Sequence, residues 1–300
     1  MRRALPLAAL LLAGCGFTRD PVRVDLHGEE LMVHGVLAAG SDTVAVLLTR
    51  VRTEGAGTPA TVSPVTGATV RITGGGQTVR LDEAPAGFPA CIRDGGGDAP
   101  LARGCYAAVL PGGVRAGATY ALDVQVVGRP PARGSATIPA APVIHAPAPG
   151  SRFGVRRRPQ NEPSAILPVR WTGAGQGGGF AVGVAVTAVY SGQTRVTDAV
   201  CTLPQGVGPP LPPTADSAVI VLIHPALCQT PAGLLGPDSI HARLVVAAYD
   251  TAYARYADIV EADVNRPLWR DRFAAGVTGA LGVFAAVATA ELPVTLVPID

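Results

Sequence analysis

The chain has 300 residues with 24 basic and 22 acidic side chains, a formal net charge of +2, and this balance does not suggest nucleic-acid binding, which needs a concentrated basic patch. Every basic residue is Arg, and the lack of lysine excludes Schiff-base chemistry and a Walker-type phosphate lysine. The excess of Ala, Gly, Pro and Val matches a GC-rich coding sequence.

Residues 1–15 read as a lipoprotein signal peptide with its lipobox. Met1-Arg2-Arg3 is a basic start, Ala4 to Leu12 an apolar run, and Leu12-Ala13-Gly14-Cys15 a cleavage site of small residues. The apolar run is shorter than the ~20 residues a membrane-spanning helix needs. The Cys15 thiolate is expected to take a diacylglycerol thioether before cleavage, so that the mature chain starts at Cys15. Each buried CH₂ of the acyl chains contributes about 0.8 kcal/mol, and two or three chains, palmitate among them, make a stable anchor. Gly16, where inner-membrane lipoproteins often carry Asp, favours the outer membrane, facing either the periplasm or the surface. Loss of Arg2 and Arg3 leaves acidic and basic side chains in balance, so the basic charge belongs to the signal.

The next segment, residues 20–140, reads as an all-β domain. Leu31 to Leu37 and Thr43 to Thr49 are two apolar runs joined by a turn over Ala38–Asp42. Val70 and Ile72, then Val79 and Leu81, alternate with polar residues around Gly74-Gly75-Gly76, a hairpin signature. Cys105 to Leu110 is a short strand turned by Pro111-Gly112-Gly113. Tyr120, Leu122, Val124 and Val126 give the clearest period-2 alternation of the chain. Gly134 to Ile138 closes the domain. Residues 141–165 are proline-rich and read as a linker or irregular domain entry, because proline lacks the N–H that a sheet interior requires.

Residues 166–300 read as a second β-rich domain. Strands are expected over Val169–Thr172, Phe180–Tyr190, Ala218–Ile223 and Ile240–Tyr249. A helix near 250–264 follows from the helical spacing of Tyr249, Tyr253, Tyr256, Val260 and Val264, with Asp250 as its cap and Pro267 beyond its end. The tyrosine stripe is most simply its core-facing side. Phe273 to Ala290 is uncharged, but its glycines and its Ala and Val content favour a turn, a buried strand Val283–Ala288 and a last strand Pro293–Val297 over a spanning helix. The fold class is all-β: two β-sandwich domains, Ig-like or fibronectin-like, with one short helix in the second.

With Cys15 assigned to the anchor, Cys91, Cys105, Cys201 and Cys228 remain. An even count in an exported chain suggests disulfides. Three pairings are possible, and Cys91–Cys105 with Cys201–Cys228 keeps each bond within one domain; four buried free thiols are the alternative. No C-x-x-C is present. Gly173, Gly175 and Gly178 match G-x-G-x-x-G with Asp198 downstream, but Val182, Val184 and Val186 forecast a strand where a dinucleotide site needs a helix. His27 and His34 frame Glu29 and Glu30 without metal-ligand spacing. Asp94 and Asp98, near Asp82 and Glu83, lack the EF-hand pattern and read as a solvated loop, with calcium binding as the other reading. Arg156-Arg157-Arg158, before Pro159, reads as a solvated loop, with anionic lipid as the other reading. No nucleophile, base and orienter can be assembled, so no catalytic residue, cofactor or metal is expected and the chain is read as a non-enzyme.

Several short segments resemble a family of outer-membrane lipoproteins, the domain of unknown function 4249. They are Val33-His34-Gly35-Val36-Leu37 with Ser41-Asp42-Thr43-Val44, then Gly67-Ala68-Thr69-Val70 and Gly117-Ala118-Thr119-Tyr120-Ala121-Leu122. The Tyr253–Tyr256 helix and Gly279-Ala280-Leu281-Gly282-Val283-Phe284 complete the similarity. The resemblance implies an accessory role beside a TonB-dependent outer-membrane receptor and assigns no functional residue. The expected function is therefore a lipid-anchored, non-catalytic binding or accessory module whose partners are the membrane and an outer-membrane receptor protein. A structural or adhesive envelope role and an inter-domain hydrolase are the alternatives. The sequence sets no oligomeric state.

Overall fold

The computed structural model describes residues 29–52, 61–85, 103–156, 163–173, 177–196, 200–201, 206–207, 211–222, 228–230, 233–261 and 274–299. The first half is built from β1 (Glu29–Ala38), β2 (Thr43–Arg52), β3 (Thr61–Pro64), β4 (Thr69–Gly74), β5 (Gln77–Glu83), β6 (Cys105–Val109), β7 (Thr119–Gln125) and β8 (Ala132–Thr137). There follow β9 (Val143–Ala146), β10 (Arg152–Arg156), β11 (Ala165–Thr172), β12 (Gly177–Ser191), β13 (Thr194–Val196), β14 (Val200–Cys201) and β15 (Gly206–Val207). The chain continues with β16 (Ser217–Leu222), β17 (Cys228–Thr230), β18 (Gly233–Leu235) and β19 (Ser239–Asp250). Helix α1 (Thr251–Glu261), β20 (Ala274–Ala275), β21 (Val277–Thr278) and β22 (Leu281–Ile299) close it. The molecule is all-β with sandwich-like sheets and a single short helix among the described residues.

The alternating strands of the first half fold as their pattern dictates. Val33, Leu37, Val46, Leu48, Val70, Ile72, Leu81, Leu122 and Val124 point into one core, and their polar neighbours point out. The β4–β5 hairpin turns through Gly75 and Gly76 at φ of +58° and +85°, a conformation that L side chains resist. Strand β5 pairs with β4 on one side and, through Asp82 and Glu83, with β6, making a corner between the two layers. Two tyrosines are buried with their hydroxyls satisfied. Tyr106 donates to the Val65 carbonyl and accepts from the Ala68 N–H, each at 3.0 Å, and Tyr120 accepts from the Arg115 N–H at 3.0 Å.

The second core lies between β12–β19–β22 and the three-stranded sheet β16–β11–β9. Trp171 and Phe180 meet there with ring centroids 5.5 Å apart. The proline-rich stretch contributes more strand than its prolines suggest: β9 joins β11, and β10 runs parallel to β22. Pro168 lies inside β11, but β9 meets β11 only from Arg170 to Thr172, so among the described residues that side of the strand has no strand partner at the proline.

The two terminal strands expected at Val283–Ala288 and Pro293–Val297 are one strand. β22 is continuous for 19 residues. One edge pairs with β1 from Leu281 to Val287 and with β10 from Thr295 to Ile299, while the other pairs with β19 from Val287 to Leu296. The Pro293 carbonyl accepts from Gly150 on the β1–β10 edge. Its nitrogen faces the same way, into the gap between these two partners, which is why proline does not break the strand.

β22 also completes the first core, to which Phe284 and Ala286 belong together with Val277 of β21. The Phe284 ring fills space left by two glycines. A Cβ on Gly35 would stand 3.1 Å from Phe284 Cδ2, and one on Gly134 would stand 2.8 Å from Phe284 Cβ. Phe284→Ala is expected to lower unfolding free energy by about 3–5 kcal/mol through the cavity it opens. Chemical denaturation measures this; a loss under about 1 kcal/mol would mean that Phe284 does not anchor the first core.

Candidate functional site

Helix α1 begins where β19 ends, and Asp250 makes the junction. Its side chain accepts the Tyr253 N–H at 2.8 Å, closing the first turn as the capping pattern predicts, and also takes backbone hydrogen bonds from Ala252 and Ala286. One carboxyl thus caps the helix and ties it to β22. The helix lays Ala252, Tyr253 and Tyr256 on the outer side of the sheet against Ala275, Val283 and Ala285. Tyr249 and Tyr253 stack at 4.3 Å, Tyr253 meets Tyr256 edge-on at 6.3 Å, and Tyr256 meets half-buried His34 at 5.5 Å. The tyrosine stripe is core-facing, as its spacing predicts, and His34 packs against it.

Burial raises the Asp250 carboxyl pKa above its ordinary 3.8, against the lowering effect of its three backbone donors. An acid whose folded pKa is raised contributes stability that is complete below the unfolded pKa and is lost as pH rises through the folded one. Relative to Asp250→Asn, the wild-type chain should therefore lose stability as pH climbs from about 3.8 through that raised value. Paired denaturation curves across this range test the sign, and a difference that is flat or grows with pH would contradict it. Asp250→Ala should cost about 1 kcal/mol through the lost cap.

The glycine motif at 173–178 leads into strand β12 and no helix follows, so it offers no helix N-terminus to a phosphate. Gly178 is required for another reason: a Cβ there would collide with the Asp250 carbonyl. Of the sequence-derived candidates, Cys15, His27, Cys91, Asp94, Asp98, Arg157, Arg158, Gly175, Asp198, Val264 and Pro267 lie outside the described residues. Cys105 is buried in β6 and Cys228 in β17, and Cys201 of β14 stands directly opposite Cys228 in the antiparallel register. Among the described residues no group of three His, Cys, Asp or Glu side chains could hold a metal ion.

A surface feature that the sequence reading missed lies on the outer face of the β11–β16 pair. Ile166 stands opposite Val221, and Pro168 opposite Val219, all four pointing away from the second core. Ile166, Val219 and Val221 are 58%, 56% and 45% exposed. Arg170 and Ser217 form the next polar row. The segment Ala165–Thr172 carried this signal in part, since Ile166 and Pro168 put apolar residues in the phase opposite to Leu167, Val169 and Trp171; alternation alone does not say which phase meets solvent. Four adjacent apolar side chains are a patch rather than the scattered exposure normal for a protein surface.

No curated protein matches the chain. Residues 19–160 match the model of the family described as Domain of unknown function (DUF4249), a segment that runs from before β1 to just past β10. Over that segment the chain is similar to this family, as the motifs from Val33 to Leu122 indicate; the Tyr253–Tyr256 and Gly279–Phe284 segments lie outside the match, and the family's description gives no activity.

Proposed function

We propose that the chain is an outer-membrane lipoprotein, acylated at Cys15, whose second sandwich binds a protein partner without catalysing a reaction. The observation that carries this reading is the patch of Ile166, Pro168, Val219 and Val221. Its side chains are held in fixed register on a sheet whose other face is the core. Such a surface is costly to leave in water and is suited to a partner that covers it. The resemblance read from the sequence names the partner class, a TonB-dependent outer-membrane receptor.

Crosslinking in cells followed by purification of the lipoprotein should recover a barrel protein with the wild-type chain. The double variant Val219→Glu, Val221→Glu should reduce that recovery about tenfold, equivalent to about 1.4 kcal/mol. Recovery of no barrel protein from wild type, or equal recovery from the variant, would sink the reading. The variant's unfolding midpoint separates loss of binding from loss of fold.

Disulfides Cys91–Cys105 and Cys201–Cys228 belong to the same proposal, since they fit an oxidising compartment. The register that faces Cys201 with Cys228 supports the second pair. The denatured, unreduced protein should titrate no free thiol at these four positions, and Cys228→Ser should cost about 2–4 kcal/mol. Four free thiols would overturn both bonds.

A further inference from the structure

The first sandwich has two distinct ends. At one lie the start of β1, the end of β2 and the β7–β8 turn. Glu29 pairs with Arg52, and Arg129 of the turn donates to the Glu29 carbonyl at 2.7 Å and its carboxylate at 2.8 Å. Arg50 reaches the same carboxylate at 3.6 Å. At the tip of this turn Val127 is 95% exposed, an apolar side chain in open solvent. The opposite end gathers the β1–β2, β4–β5 and β6–β7 connections, where the Gly40 N–H meets the Val114 carbonyl and Gln77 meets the Pro111 carbonyl.

β22 gives these ends a direction. It starts beside Met32 near the Glu29 end, passes Ala38 at the opposite end at Val287, and continues through Leu292, Val294 and Leu296 of the second core to its end at Ile299. At about 3.3 Å per residue its contour is about 60 Å, of which roughly 40 Å lies beyond the first sandwich's far end. The second sandwich therefore lies away from the Glu29 end.

We infer that the Glu29 end of the first sandwich rests on the lipid surface, with Val127 entering the headgroup boundary, and that β22 holds the second sandwich away from the membrane. This inference rests on the anchoring of Cys15 proposed above. Residues 16–28 are all the chain between an acylated Cys15 and Glu29, a leash of at most about 50 Å, and it joins the fold at this end. A tether concentrates the end it joins against the surface. Val127 supplies the apolar contact, and Arg50, Arg52 and Arg129 belong to the same end of the sandwich, Arg50 and Arg129 sharing the Glu29 carboxylate. The patch on β11 and β16 is then presented away from the bilayer.

The test uses the intact lipoprotein reconstituted into vesicles of phosphatidylethanolamine and phosphatidylglycerol. An environment-sensitive fluorophore is attached at Val127→Cys or, as control, at Val109→Cys, which is exposed at the opposite end next to Thr43. Flotation reads the anchor, and quenching by headgroup-region spin-labelled lipid reads the contact. The protein should float with the vesicles, and the probe at 127 should be quenched several-fold more than the probe at 109. Floating protein with equal quenching, or more at 109, overturns the orientation and leaves the anchor standing. Protein that does not float overturns the anchor, and the orientation with it.

Discussion

The constraint on which the rest depends is that one strand serves two cores. β22 contributes Phe284 and Ala286 to the first and Leu292, Val294 and Leu296 to the second. Each half lends it an edge partner: β1 and β10 lie end to end along one side, with β19 on the other. A strand this long is rarely stable by itself, because unpaired backbone groups in a core are costly. Here every stretch of it is flanked by chain from one half or the other. The first sandwich also relies on β22 for Phe284, seated over Gly35 and Gly134. Folding of residues before position 140 is thereby coupled to pairing with residues after 280, a long sequence separation that favours slow, cooperative assembly.

The junction at Asp250 shows the same economy at a smaller scale. A buried carboxyl is unfavourable, and desolvation raises its pKa. The three backbone donors that surround it would otherwise lack partners where a strand gives way to a helix. The helix then covers small side chains of β22 on the side opposite Phe284, so that residues 283 to 286 are buried on both faces of the sheet. This explains why the segment reads as uninterrupted Val, Phe and Ala instead of alternating.

Much of this was legible in the sequence. Alternation located β4, β5 and β7, glycine located their turns, and the Tyr249–Tyr253–Tyr256 spacing with Asp250 located the helix and its cap. What escaped were features set by tertiary pairing. The strands expected at Val283–Ala288 and Pro293–Val297 read as two because the gap between β1 and β10, which accepts a proline nitrogen inside one continuous strand, is not visible locally. The strands at Val143–Ala146 and Arg152–Arg156 escaped because a local excess of proline outweighs four or five residues of weak pattern. The outward patch at Ile166 and Val221 escaped because the outward phase of those strands carries apolar residues beside Arg170 and Ser217, and only the packed structure shows which phase is covered. The shared strand and the patch are both consequences of which segments meet, information that local propensity does not contain.

The central claim is that β22 makes the two sandwiches one cooperative unit. Native-state hydrogen exchange along a denaturant series measures this most directly, by following amides of β1 and β2 against those of β19. The account predicts that both sets lose protection with the same free energy and the same denaturant dependence. Separate transitions, with β19 still protected after β1 and β2 have exchanged or the reverse, would contradict it.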